Sequence, residues 1–299
     1  MTKLFLTTAL AAILAVPTLP ALAATPAPGE KLAAQQSYNY WLLDAIKSLD
    51  PAKNTDVEGS DALRSLFEGL MIEDAAGNMI PGVAESHEMS EDGLTYTFTL
   101  REGVRFHDGE PFDGEAVCAN FDRWYNFTGI QQSETLSYYY GKLFRGFADK
   151  PEDAVYKECE ATGEHEVKIT LAQPFAGFIS SLSLPAFAMQ SPKALEEYKA
   201  DEVGGTAEAP TLSEYAQGHP TGTGPFTFEK HDTSNKTITL KRNEDYHGDK
   251  AKLDELIRAT TSARNEFIGI EHLTDAELES ILDEVEHRAR RIHRARKTL

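Results

Sequence analysis

The stretch "EDGLTYTFTLREGVRFHDGEPF", Glu91 to Phe112, is the most legible part of the chain. Glu91-Asp92-Gly93 reads as a turn, after which Leu94, Tyr96, Phe98 and Leu100 alternate with Thr95, Thr97 and Thr99. That period of two is the mark of a strand with one face buried. Val104 and Phe106 continue as a second short strand, and His107-Asp108-Gly109 turns the chain again. Asp113 then stands where it can cap a helix that gathers Val117, Phe121 and Trp124 on one face.

The same grammar extends outward. Residues 35–43, "QQSYNYWLL", have the aromatic and apolar content of a strand, and "SLDP" at Ser48 to Pro51 stops it. Val167, Ile169 and Leu171 alternate with Lys168 and Thr170 until Pro174 closes the strand. "HPTGTGPFTFEKHDTSNKTITLKRN", His219 to Asn243, reads as a bend at Gly222 and Gly224, a strand at Phe226 to Phe228, a turn at Asp232 to Asn235 and a returning strand at Thr237 to Leu240. Strands and helices mixed in this order predict α/β or α+β organisation. From Leu253 onward the pattern changes: Leu253, Leu256 and Ile257 have helical spacing, and Thr274 with Glu277 forms a capping box before Leu278, Ile281, Leu282 and Val285. A solvated helical tail is expected from 253 to 299, with a basic end that suits a helix C-terminus.

Composition bounds the function. The chain has 299 residues, 41% hydrophobic and 26% charged, enough for a sizeable core. Its formal charge of −19 argues against nucleic acid and anionic membrane surfaces as partners. Residues 1–23 combine Lys3, an apolar run from Leu4 to Val16 and the small pair Ala21 and Ala23, the three parts of a cleavable secretory signal. The run is shorter than the ~20 residues that span a bilayer, so a periplasmic or extracellular protein with no stable membrane insertion is expected. Cys118 and Cys159 are the chain's two cysteines. Export and the even count favour a disulfide, the alternative being two separately buried thiols.

Catalytic chemistry finds no foothold. No HExxH, GxSxG or P-loop pattern occurs, and Gly222-Thr223-Gly224 is too short for a dinucleotide fingerprint. With no CxxC and no helical histidine pair, neither a metal nor another cofactor is expected. His107 beside Asp108 could be an acid–base pair, but a turn explains both. Asn126 and Asn235 match a glycosylation acceptor that is common by chance. "SYYYG", Ser137 to Gly141, clusters tyrosines whose polar tips suit a binding cleft and whose rings equally suit a core.

In order and spacing, "SLDP", "EGLM", "PGVAESHEMSEDGLTYTFTLREGVRFHDGEPF", "AVCANFDRWYNF", "ALEEY", "HPTGTGPF" and "LKRNEDYHGDK" resemble the extracytoplasmic solute-binding proteins of ABC importers, in the peptide and nickel family. The match runs from about Tyr38 to Lys252, and His247 departs from it where the family usually has Trp. The resemblance implies a type II periplasmic-binding-protein-like α/β fold. Residues 24–55 and 175–252 would form the first lobe proper, and 56–174 its inserted subdomain. The second lobe should begin just after "KLDE", where "KLDELIRATTSARNEFIGIEHLTDAELESILDEVEHRARR" instead resembles the cytoplasmic tail of bacterial low-affinity iron permeases. The expectation is therefore a non-enzymatic, substrate-binding component for peptides or similar solutes, working with ABC permease subunits. It would be truncated and impaired in binding, with Tyr40, Asp44, Tyr139 and Tyr140 lining the remaining half-cleft. The alternative is a chimeric remnant or interaction protein that binds no solute.

Overall fold

The computed structural model describes residues 37–42, 46–74, 76–234 and 236–260. The expected signal peptide at 1–23, Asp44 and the capping box at Thr274 lie outside them.

Two four-stranded sheets organise these residues. The first is antiparallel, in the order β4 (Ala84–Met89), β5 (Thr95–Leu100), β7 (Glu166–Leu171), β6 (Tyr156–Gly163). Its register sets Tyr96 opposite Ile169 and Phe98 opposite Val167, so the alternation visible in each sequence becomes one apolar face. Against it packs α2 (Gly114–Tyr125), capped as expected by Asp113, whose side chain accepts from the Ala116 N–H. Val117, Phe121 and Trp124 are buried on the inner face of α2. Phe144, Phe178 and Phe187 close the core around them.

The second sheet runs β1 (Ser37–Leu42), β12 (Glu255–Thr260), β11 (Thr237–Arg242), β10 (Phe226–Asp232). β1 and β12 are parallel and the other pairs antiparallel. Helix α1 (Val57–Leu66) covers it, and Leu63, Leu66 and Phe67 join Phe226, Ile238, Leu240 and Leu256 in a second core. Smaller elements join these layers: the hairpins β2 (Met71–Glu73) with β3 (Met79–Pro81) and β8 (Gly204–Gly205) with β9 (Pro210–Thr211), and helices α3 (Glu134–Leu143), α4 (Phe178–Ser181), α5 (Pro192–Glu197) and α6 (Glu214–Gly218).

Two expectations are corrected. The helical spacing at Leu253, Leu256 and Ile257 does not make a helix, because residues 255–260 form β12, the strand that joins β1 to the sheet. The inward residues are Leu256 and Arg258, and an arginine on the inner face hides the period of two. Val104 and Phe106 are buried but form no strand, since the chain doubles back after one isolated bridge between Arg105 and Pro111. α1 packs on the second core, while Phe178, Leu182, Phe187 and Met189 belong to the first.

Cys118 on α2 and Cys159 on β6 form a disulfide, as the sequence favoured over separate thiols. Closing a loop with a sequence separation of 41 restricts the unfolded chain by about 4 kcal/mol in the chain-entropy estimate. Adding a thiol reductant is expected to lower the melting temperature, and the Cys118→Ala/Cys159→Ala protein should melt at the same low temperature with or without reductant. A native chain whose melting is insensitive to reductant would show that the bond contributes nothing.

Candidate functional site

Sequence motifs that are far apart in the chain converge at the C-terminal end of α1. Glu68, of "EGLM", accepts three hydrogen bonds: from Thr223 Oγ1 at 2.9 Å, Tyr246 Oη at 2.8 Å and His247 Nε2 at 2.9 Å. Thr223 comes from "HPTGTGPF", and Tyr246 and His247 from "LKRNEDYHGDK". Where the family resemblance led to Trp, His247 still supplies a ring N–H to the carboxylate.

Close backbone approach makes this convergence possible. The Gly224 N–H donates to Leu66 O at 3.0 Å. A Cβ on Gly222 would lie 2.3 Å from Leu66 O, and one on Gly224 would lie 2.6 Å from Leu66 C, both inside contact distance. His107 locks the other side of the bend, its Nε2 bonding Gly224 O at 3.0 Å and its Nδ1 accepting from the Gly222 N–H at 3.4 Å. Burial holds the His107 imidazole below its ordinary pKa, so it stays neutral, and Asp108 is occupied by the Ser191 hydroxyl at 2.5 Å. The pair is structural, as its position in a turn implied.

Beside Glu68 opens a cleft of about 240 Å³. Leu63, Phe67, Ile72, Leu184 and Pro225 make its walls apolar, and Arg64 and Tyr246 add polar groups. A cleft of this character can hold an apolar body and orient it with a few polar contacts.

A second assembly pins the segments around these motifs. Arg123 on α2 donates from Nη2 to Asp50 at 2.6 Å and to Asp201 at 3.0 Å. Lys53 Nζ donates to Asp201 at 2.6 Å, to Ala200 O at 2.7 Å and to Asp50 at 3.3 Å. Both cations stand over the Phe127 ring, at 4.9 Å for Lys53 and 5.4 Å for Arg123. Burial opposes ionisation of Asp50, but Arg123 and Lys53 outweigh it and hold the carboxyl below the ordinary range. The same balance brings Asp201 to about 2. Periodicity could not reveal this group, because it places charges where the pattern expects apolar residues; Asp50 alone had a signal, as a turn residue of "SLDP".

Of the residues expected to line a cleft, those described lie on two elements. Tyr40 lies on β1, a strand whose neighbouring residue Tyr38 is exposed, while Asp44 is outside the described residues. Tyr139 lies on α3, partly buried against the first core. Tyr140 is buried, its ring stacked on Phe144 with centroids 5.1 Å apart, so it packs the core rather than a cleft. No cluster of metal-ligating side chains occurs among the described residues.

Comparison with known proteins gives this arrangement its class. The family model described as bacterial extracellular solute-binding proteins, family 5 Middle, matches residues 78–266. The chain belongs to that family, a family of transport proteins and not a class of enzymes. A second model, low affinity iron permease, matches residues 237–299 and overlaps the first. The glutathione-binding protein GsiB of Salmonella paratyphi A is 38% identical over 65% of this chain and 31% of its own length. The chain thus matches about a third of that relative. Among solved structures, DppA of Helicobacter pylori in complex with the peptide STSA is 26% identical with a TM-score of 0.61, over 80% of this chain and 46% of its own. NikA of Brucella suis in complex with Fe(III)-EDTA is 27% identical with a TM-score of 0.56, over 75% and 39%. The expected type II periplasmic-binding-protein fold is confirmed, and this chain covers part of it.

Two outcomes follow from the ion cluster. Removing Arg123's charge as Arg123→Met leaves Asp50 buried beside one cation instead of two and should cost about 3–5 kcal/mol in urea unfolding. Asp201 has its folded pKa below the ordinary 3.8, so its contribution is complete above that value and is lost as pH falls through about 2. The urea midpoint of the native chain should therefore fall more steeply from pH 4 to pH 2 than that of Asp201→Asn. Parallel acid limbs would mean that Asp201 is not held ionised by the cluster.

Proposed function

We propose that the chain is the substrate-binding component of an ABC importer for peptides or similar small solutes, exported through residues 1–23 to the periplasm or beyond. The observation that carries this reading is the family match over residues 78–266, which includes Thr223, Tyr246 and His247, the three partners of Glu68. Similarity to a glutathione-binding protein and to a peptide-bound DppA points to short peptides as the solute class. Such a receptor changes no covalent bond. It works by having contacts in the closed state that the open state lacks, which gives the permease subunits a conformation to recognise.

Tyr40, Asp44 and Tyr139 are the residues we assign to the solute-facing surface. On this reading the first lobe supplies one wall of a cleft, and a solute against one wall leaves its other side in water. Affinity is consequently low in this chain alone. A second reading, an interaction protein with a helical tail that binds no solute, draws on the iron-permease match over residues 237–299.

Isothermal titration calorimetry with glutathione and with trialanine separates these readings. The expected dissociation constants are weaker than about 100 μM, corresponding to less than about 5.5 kcal/mol of binding free energy. Micromolar binding would overturn the prediction of impaired affinity. No heat at millimolar peptide would favour the interaction protein.

A further inference from the structure

A different cleft, also of about 240 Å³, lies away from Glu68. The turn at His107 and Asp108 forms one side, the end of α5 with Glu197 and Tyr198 another, and His219 with Phe228 of β10 the rest. We propose that this cleft binds a guanidinium group. The inference does not depend on the solute-binding reading.

Charge and ring geometry argue for it together. Glu197 and Asp108 line the cleft, Asp108 as a charge whose oxygens already accept from the Ser191 hydroxyl and the Glu110 N–H, and no lysine or arginine among the described residues stands within ion-pair distance of either. The nearby Lys193 is engaged by Glu110 at 2.7 Å. Glu214, 3.8 Å from His219, adds a third carboxylate at the margin. His107 does not offset this charge, since burial keeps it neutral and both ring nitrogens are engaged by the Gly222-Gly224 bend. Glu197 raises the Tyr198 phenol above its ordinary pKa through its charge, partial burial adds to this, and the phenol's hydrogen bond to Glu197 and then the charges of Glu214 and Asp108 follow.

The aromatic wall selects the shape of the cation. Tyr198 and His219 are stacked with centroids 3.7 Å apart and planes 5° from parallel, which fixes both rings without a hydrogen bond between them. A guanidinium is planar, weakly hydrated and able to lie on an aromatic face while its edge donates paired N–H bonds to a carboxylate. An ammonium of equal charge is a compact, strongly hydrated point and gains less from such a wall. Thr221 and Thr227 complete the lining.

The test uses the full chain and two matched peptides, acetyl-Gly-Arg-Gly-amide and its citrulline counterpart, with ethylguanidinium as a third probe. Binding is followed by NMR shifts of the Tyr198 and His219 rings. The arginine peptide and ethylguanidinium should both saturate these shifts, the citrulline peptide should not, and 1 M salt should weaken binding. In Glu197→Gln, an exposed substitution whose fold is checked by circular dichroism, the dissociation constant should rise about two- to fivefold. Saturation by the arginine peptide but not by ethylguanidinium would show that the peptide backbone, not the guanidinium, is recognised and would overturn the proposal. Equal binding of the citrulline peptide, or an unchanged constant in Glu197→Gln, would do the same.

Discussion

Three distant stretches of chain are held by one side chain, Arg123, whose guanidinium reaches Asp50 and Asp201 at once. Such a group is costly to bury, and it is tolerated because the charges close locally: two cations meet two carboxylates, with Lys53 at the remaining corner. A lysine in place of Arg123 would lose the fixed, divergent donors of the guanidinium fork with which it meets both acids. The cluster therefore sets where α2 lies relative to "SLDP" and to the residues after α5. Because α2 also brings Phe121 and Trp124 to the first core, the apolar packing inherits the position fixed by the ions.

Neutral hydrogen bonds reinforce the same placement. Asn120, one turn before Trp124 and wholly buried, donates to Gln190 O at 2.9 Å and accepts from the Gln190 N–H at 3.1 Å. Its amide imitates a strand partner and ties the chain that leads into α5 to the helix. Glu68 repeats the principle at the other junction, with the difference that its partners are a hydroxyl, a phenol and an imidazole. Both junctions join residues at least 70 positions apart, Asn120 with Gln190 at a separation of 70 and Glu68 with Tyr246 at 178.

How much of this was legible depended on whether burial followed polarity. β5, β7 and α2 were readable because their inward residues are apolar and their outward ones are not, so period alone located them. β12 was missed because Arg258 points inward, where its Nη2 donates to Ser65 Oγ of α1 at 3.2 Å. The tyrosine run was readable only as a choice between cleft and core, and packing divides it: Tyr138 is exposed, Tyr139 partly buried and Tyr140 buried. The disulfide could be favoured from compartment and count, yet its work of fastening α2 to β6 required the fold. The Glu68 convergence had no local signal at all, since a hydrogen bond across such a separation leaves no trace in periodicity.

The overlap of two family models at residues 237–266 becomes intelligible at the level of packing. β11 and β12 fall inside it, and both are integral to the second sheet. Among the described residues β12 is the sole strand partner of β1, so without residues 255–260 the N-terminal strand would have no ladder to join. Leu240 and Leu256 meet Leu63 and Leu66 of α1 in one core. Whatever resemblance these residues bear to a permease tail, up to Thr260 their conformation answers to partners in residues 37–66. The local preference of "KLDELI" for a helix is overridden because a central strand satisfies its backbone on both edges, and an amphipathic tail of the same residues would leave β1 and β11 each with an open edge.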